Sequence, residues 1–259
     1  SAPRMTMAWR SDSYGSKESR MATMVGEILS NSGDAGLIDL NITQKQKVLG
    51  AGAYESPYKM YGAFTMYVMP KDGQSFDEAK KLMLSQIDLI KKGDFPDWML
   101  KAIVNDMKVQ RMKGLETADG LATTLYGAYI NERTWQQELD EINEYEKISK
   151  ADIVKFANDF FKDNYVVVYK EKGVNDKLVR VQNPGITPIK INREAQSPFL
   201  KSILSTKAGD IKPQFIDYNT AIAVSKIKDK KVSFVKNKYN EVAQVSYVFP
   251  FGTDNDKEL

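Results

Sequence analysis

Residues 60–93, MYGAFTMYVMPKDGQSFDEAKKLMLSQIDLIKKG, decide the fold of this chain. The run Met60–Met69 is apolar on both faces, which predicts a central strand that is covered on each side. Ser75-Phe76-Asp77-Glu78 then matches a capping box, in which the Ser and Glu side chains accept hydrogen bonds from each other's backbone amides. Apolar residues at helical spacing follow until Gly93, namely Phe76, Ala79, Met83, Ile87 and Ile90. The stretch therefore predicts a strand that leads into an amphipathic helix.

Further strands and helices are predicted on both sides of this pair. Upstream, the patterns of Arg4–Arg10 and Lys47–Glu55 indicate strands, and Ser16 caps a helix between them. Downstream, a strand at Tyr165–Tyr169 follows four predicted helices, which start near Pro96, Ala118, Trp135 and Ser149. This order predicts an α+β unit over residues 1–172, with a small antiparallel or mixed sheet and helices packed mainly on one face. Aromatic residues of these helices are expected in the core: Tyr126, Tyr129, Trp135 and Phe160.

The pattern changes after Gly173. Residues 173–215 contain four of the nine prolines and lack a clean period, which predicts an extended connector or hinge. Residues 216–259 then predict the opening strands of a second, truncated α+β unit, at Thr220–Ile227, Lys231–Lys236 and Glu241–Phe251. We interpret the chain as a piece of a longer protein.

Composition excludes several kinds of chemistry. The 259 residues contain no histidine and no cysteine, so they offer no imidazole base, no thiolate and no Cys or His ligand for zinc. We therefore predict no catalytic residue and no metal ligand in this chain. The absence of a dense basic stripe argues against nucleic acid as a partner. No apolar run reaches the roughly 18 residues that a transmembrane helix needs.

The order of elements resembles the pitrilysin/insulysin family of zinc metallopeptidases. The resemblance covers residues 1–172 and is most specific from Ile148-Ser149-Lys150-Ala151-Asp152 to Val166-Val167-Val168. It implies four homologous α+β units in two halves, which are joined by a connector and close around peptide substrates. It also implies a zinc ion held in the first unit by an inverted H-x-x-E-H motif, which is absent here. The expected zinc site thus lies outside this chain, in the parent protein.

The resemblance also indicates which unit this is. The last unit of the family carries an R-x-x-x-x-L-G-Y pattern, but alignment on Leu49-Gly50 places Gln44 and Ala51 at the Arg and Tyr positions. Residues 1–172 are therefore identified as the second, non-catalytic unit. Residues 173–215 are then the connector between the halves, and residues 216–259 are the start of the third unit.

One binding role is implied for this unit. In the family, a strand of the second unit can hold the N-terminal end of the substrate by backbone pairing at a sheet edge. The matching residues are Leu49, Gly50, Ala51, Gly52 and Ala53. Small side chains would let a peptide approach closely, although they also suit a strand that is merely tightly packed.

We interpret the chain as the chamber wall and hinge of a peptide-degrading metalloendopeptidase. Its expected partners are the remaining units of the same polypeptide and peptide substrates. The alternatives are an inactive homologue that serves as scaffold or partner of a catalytic subunit, and an unrelated peptide-binding module. Family analogy suggests the periplasm, with the cytoplasm as the alternative.

Overall fold

The computed structural model describes residues 2–173, 182–183, 185, 187–207, 209–210, 212–213, 215–249 and 252. The chain divides into two compact units. One consists of residues 1–173 with 242–259, and the other consists of residues 174–241. They are called unit 1 and unit 2 below. No helix in the described ranges is long and apolar enough to cross a membrane.

Unit 1 contains a four-stranded antiparallel sheet. Its strands are β1 (Arg4–Asp12), β2 (Gly50–Ser56), β3 (Tyr61–Met69) and β4 (Val166–Lys170), in the order β2-β3-β1-β4. The prediction of a central strand within Met60–Met69 is confirmed, because β3 pairs on both sides. Only one face of β3 is fully buried, however, and the other is half-buried, because helices cover the sheet on one face.

The core lies on that covered face. Because side chains alternate along a strand, every second residue of β1 and β3 points into it, which buries Met5, Met7, Trp9, Phe64, Met66 and Val68. Burying each such side chain stabilises the fold by roughly 1.5–3 kcal/mol. The ring of Phe161 completes an aromatic cluster, with centroids 5.2 Å from Trp9 and 5.0 Å from Phe64.

The helices of unit 1 follow the predicted order. They are α1 (Lys17–Leu29), a π-helical turn (Asp39–Thr43), α2 (Phe76–Lys92), α3 (Trp98–Gly114), α4 (Ala118–Ile130), α5 (Trp135–Glu146) and α6 (Lys150–Phe160). The predicted capping box of α2 is confirmed, since Ser75 Oγ accepts from the Glu78 amide at 3.2 Å and Glu78 Oε2 accepts from the Ser75 amide at 3.1 Å. Gly93 ends this helix with φ of 70°, a left-handed conformation that glycine adopts without strain.

The expectation that the helix aromatics are core residues is wrong for α4. Tyr126 and Tyr129 are 57% and 84% exposed, and Trp135 at the start of α5 is 37% exposed. Only Phe160 packs against the core, where its ring stacks on Phe156 at 4.8 Å. The reason is that α4 lies away from the sheet, and of its residues only Ala128 is buried.

Residues 216–259 contain fewer described strands than predicted, and two of these strands lie in unit 2. The described elements of unit 2 are α7 (Pro198–Ser205), α8 (Tyr218–Ala221), β5 (Ala223–Ile227) and β6 (Lys230–Phe234), and β5 and β6 form an antiparallel hairpin. The third predicted strand, Glu241–Phe251, is wrong for its described residues 241–249, which form no strand. A strand needs a neighbouring strand for its backbone groups, and this segment belongs to neither of the two sheets in the described part of the chain. Residues 250–251 of that prediction lie outside the described residues, as does Pro184, one of the four prolines of the predicted connector.

The capping box of α2 supplies a direct test of local stability. Ser75→Ala removes the acceptor for the Glu78 amide and should lower the free energy of unfolding by about 1 kcal/mol. Lys81→Ala, at an exposed position of the same helix, is the matched control and should change it by less than about 0.5 kcal/mol. Urea denaturation followed by circular dichroism measures both, and equal effects would contradict the role of the cap.

Candidate functional site

The five residues singled out in the sequence lie together at one edge of the sheet. Gly50, Ala51, Gly52 and Ala53 belong to β2, which pairs with β3 on one side only. Leu49 directly precedes the strand, and its N–H donates to the Met69 carbonyl at 2.9 Å. In an antiparallel edge strand, every second residue directs its N–H and C=O groups away from the sheet. An extended peptide could therefore pair with the outer side of β2.

The two faces of β2 explain its small residues. Ala53 is buried and Ala51 is packed against the core, whereas Gly50 and Gly52 lie on the opposite face. There, a Cβ atom on Gly52 would lie 2.9 Å from the Tyr67 ring, and one on Gly50 would lie 2.6 Å from the Met69 methyl group. The glycines thus make room for side chains of β3, so packing within the sheet is a sufficient reason for them.

A half-buried carboxylate, that of Glu55, marks the far end of β2. Glu55 accepts a hydrogen bond from Ser11 Oγ at 2.5 Å, which ties β2 to β1 across the intervening strand β3. Burial raises the pKa of Glu55, and the Ser11 hydrogen bond opposes that rise. The strand pattern did not predict a role for Glu55, because a half-buried carboxylate and one at an exposed strand end have the same sequence pattern.

An ion-pair network holds α5 against the loop between β1 and α1. The Arg133 guanidinium contacts the carboxylates of Glu138 and Glu141, the latter at 2.5 Å. Arg20 donates to the Gly15 carbonyl at 2.6 Å and lies 3.5 Å from Glu141. Because Glu138 is buried, losing its cation would leave an unpaired charge in the interior. The network therefore fixes the position of α5. Because Arg133 lies in the loop between α4 and α5, the network also restrains α4.

The donor set of the chain does not fit a zinc site of the type that the resemblance implied. Histidine and cysteine are absent from the sequence, and within the described ranges no three carboxylates are grouped closely enough to hold a metal ion. An open cleft of 380 Å³ lies between α1 and α3 and contains two carboxylates, Glu27 and Asp106. Burial, and then Asp106 and Asp39, raise the pKa of Glu27 there.

Comparison with known proteins places this fold among peptidase domains. Residues 1–107, from β1 into α3, match the family model described as the peptidase M16 inactive domain. The structure resembles a protease from Helicobacter pylori with a TM-score of 0.60 and 15% identity, over 65% of this chain and 41% of that one. The chain thus spans about two fifths of that protease. No curated protein matches the sequence.

Two further structures show the same fold. One is the inactive peptidase domain of a Bordetella parapertussis protein provisionally assigned as a zinc protease, with a TM-score of 0.58 and 11% identity over 66% of this chain and 93% of that one. The other is a peptidase M16 inactive domain from Pseudomonas fluorescens, with a TM-score of 0.56 and 13% identity over 65% and 40% of the two chains. At these identities the likeness concerns the fold.

The close approach at Gly52 can be tested by a double-mutant cycle. Gly52→Val should lower the free energy of unfolding by about 1–3 kcal/mol, because its side chain meets the Tyr67 ring. In a Tyr67→Ala background the same substitution should cost much less, since the obstructing ring is gone. Urea unfolding of the four proteins gives the coupling energy. If the two substitutions were additive, the packing explanation of Gly52 would be wrong.

Proposed function

We propose that unit 1 is a non-catalytic wall of a zinc metalloendopeptidase, because residues 1–107 match the family model of the peptidase M16 inactive domain. In this role it holds peptide substrates by backbone pairing along β2 while the chemistry takes place elsewhere. The open outer side of β2 carries the proposal, because it offers a peptide a row of backbone donors and acceptors. Hinge movement through residues 173–215 belongs to the same proposal.

Backbone pairing suits an enzyme that degrades many peptides. The main-chain groups of a peptide are the same for every sequence, so pairing along Leu49–Ala53 gives affinity without strong sequence preference. Each such hydrogen bond contributes only about 0.5–1.5 kcal/mol net, and ordering the peptide opposes it. The isolated chain should accordingly bind peptides weakly, and an enclosing chamber would add the remaining affinity.

The proposed zinc site lies in another part of the parent protein. Without histidine or cysteine, the residues of this chain can position a peptide but do not supply the ligands of an inverted H-x-x-E-H motif. The zinc ion would supply an activated water for peptide hydrolysis when it is bound in a catalytic unit. A periplasmic location stays a prediction of the family resemblance.

The exposed side of α4 supports contact with other units of a longer polypeptide. Apolar side chains of this helix are 40–84% exposed, namely Leu121, Leu125, Tyr126, Tyr129 and Ile130. A cluster of large apolar groups on one helix is typical of a surface that another protein surface covers. The ion-pair network of Arg133 holds α5 and the neighbouring α4 in place, which would present this surface in a fixed position.

The isolated chain should not hydrolyse peptides. We expect no cleavage of a quenched fluorogenic peptide, with or without added zinc, because the chain supplies no imidazole or thiolate ligand. Measurements with and without a chelator separate zinc-dependent cleavage from contamination. Proteolysis that copurifies with the chain and is abolished by the chelator would contradict the proposed role.

Binding at β2 should depend on the backbone of the peptide. We expect a labelled, uncharged peptide to shift the amide NMR signals of residues 49–54, while those of β4, the other edge strand, stay in place. Two versions of the peptide provide the matched control: one is N-methylated at the odd-numbered residues and the other at the even-numbered residues. One set of methyl groups blocks pairing with the strand and the other points away from it, so only one version should lose binding.

Two results would contradict this prediction. Equal loss of binding by both N-methylated peptides would show that backbone pairing is not the mode of contact. Equal shifts in β2 and β4 would show that the peptide has no preference for the proposed edge.

A further inference from the structure

The face of the sheet opposite the core, here called the open face, carries an unusual set of side chains. Arg4 and Arg10 of β1 lie on it with Tyr61 and Tyr67 of β3 and Val166 and Val168 of β4. These side chains are exposed or half-buried, and Val166 is 67% exposed. Between the two arginines, β1 presents only the small side chains of Thr6 and Ala8 on this face.

Both arginines are stacked on tyrosine rings and lack an acidic partner. The guanidinium carbon of Arg4 lies 4.5 Å from the Tyr67 ring centre, and that of Arg10 lies 4.2 Å from the Tyr61 ring centre. In the described part of the chain neither forms an ion pair, and the buried Nε of Arg4 has no hydrogen-bond acceptor. Stacking fixes the plane of a guanidinium and leaves its N–H groups directed outward, where they can bind a carboxylate.

The charge of the open face is opposite to that of the surrounding sequence. Residues 1–172 carry 23 basic and 25 acidic side chains, a net charge of −2. The strand positions of the open face carry Arg4, Arg10 and Lys170 but only one acid, Asp12 at the end of β1. Arg4 is moreover directly opposite Lys170 in the register of β1 and β4. Like charges directly opposite each other destabilise a sheet, and a bound anion would relieve that repulsion.

We propose that the open face binds an extended acidic peptide segment that lies along β1. One carboxylate of this segment binds at Arg4 and Lys170, and a second binds at Arg10. The two arginines are six positions apart along β1, a distance of about 20 Å at roughly 3.3 Å per residue. An extended ligand therefore needs acidic residues six positions apart. This site goes beyond the proposed function, because it uses side chains on the sheet face rather than the backbone edge of β2.

Two spaced acidic contacts fit a peptide better than a nucleic acid. A nucleic acid presents one charge per nucleotide, whereas the face between the two arginines carries only the uncharged Thr6 and Ala8 of β1. A peptide with two acids presents its charges only where the arginines lie.

The test uses the 259-residue chain and a labelled seven-residue peptide with Asp at its first and last positions and Thr and Ser between them. Fluorescence anisotropy at low ionic strength measures its affinity. We expect Arg4→Gln and Arg10→Gln each to weaken binding about threefold to tenfold. Lys101→Gln, at an exposed position of α3, makes the same change in net charge and should alter binding less than about twofold. Thermal unfolding of each variant checks that it is folded.

Peptide variants test the spacing. Moving the second Asp three positions closer should weaken binding as much as replacing it by Asn, because only one arginine site is then filled. N-methylation of the acidic peptide should leave its binding to the open face unchanged, because this site uses side chains. N-methylation abolishes backbone pairing at β2, so failure of one proposal is distinguishable from failure of the other. Equal affinities for all peptides, equal effects of the three substitutions, or complete competition by an oligothymidine at equal charge would each overturn the proposal.

Discussion

The packing of Trp9 against Phe64 and Phe161 is the contact on which the rest of unit 1 depends. Trp9 faces Phe64 across β1 and β3, and its indole N–H donates to the Lys162 carbonyl at 3.1 Å. Phe161 and Lys162 directly follow α6, so the cluster joins the first strand to a segment more than 150 residues later. The same segment leads into β4, which completes the sheet beside β1. Contacts between such distant parts of a chain form only when the whole layer assembles.

This layer gives the sheet two unlike faces and two unlike edges. Helices cover one face, while the other presents stacked arginines and tyrosines. Strand β2 forms one edge with glycine and alanine, and β4 forms the other with valine and tyrosine. The fold shared with inactive peptidase domains thus leaves one edge strand and one sheet face uncovered by the described helices, while the chain lacks histidine and cysteine. Binding and hydrolysis are separable functions. Binding a peptide needs only the unpaired backbone groups of an edge strand and complementary charges, whereas hydrolysis by a zinc peptidase also needs side chains that ligate the metal.

Local patterns predicted most elements of unit 1 because their signals are short-range. The capping box of Ser75 and Glu78, the alternation of Met5, Met7 and Trp9, and the apolar run of β3 each depend on neighbours within a few residues. The exposure of Tyr129 was not predictable in this way. A helix with apolar residues has the same sequence pattern whether the surface that covers it lies in the same unit or elsewhere. The segment 241–249 has a strand pattern but no described strand beside it.

By itself, the sequence determined the α+β class, the order of elements in unit 1 and the lack of histidine or cysteine for catalysis, because composition and periodicity are properties of the chain alone. Tertiary structure alone decided that Leu49–Ala53 lie at a sheet edge, that Tyr67 lies over Gly52, and that Arg4 meets Lys170. These features depend on which strands become neighbours and in what register. Pairing between residues far apart in the chain is settled by the joint burial of both strands, and no local pattern encodes it.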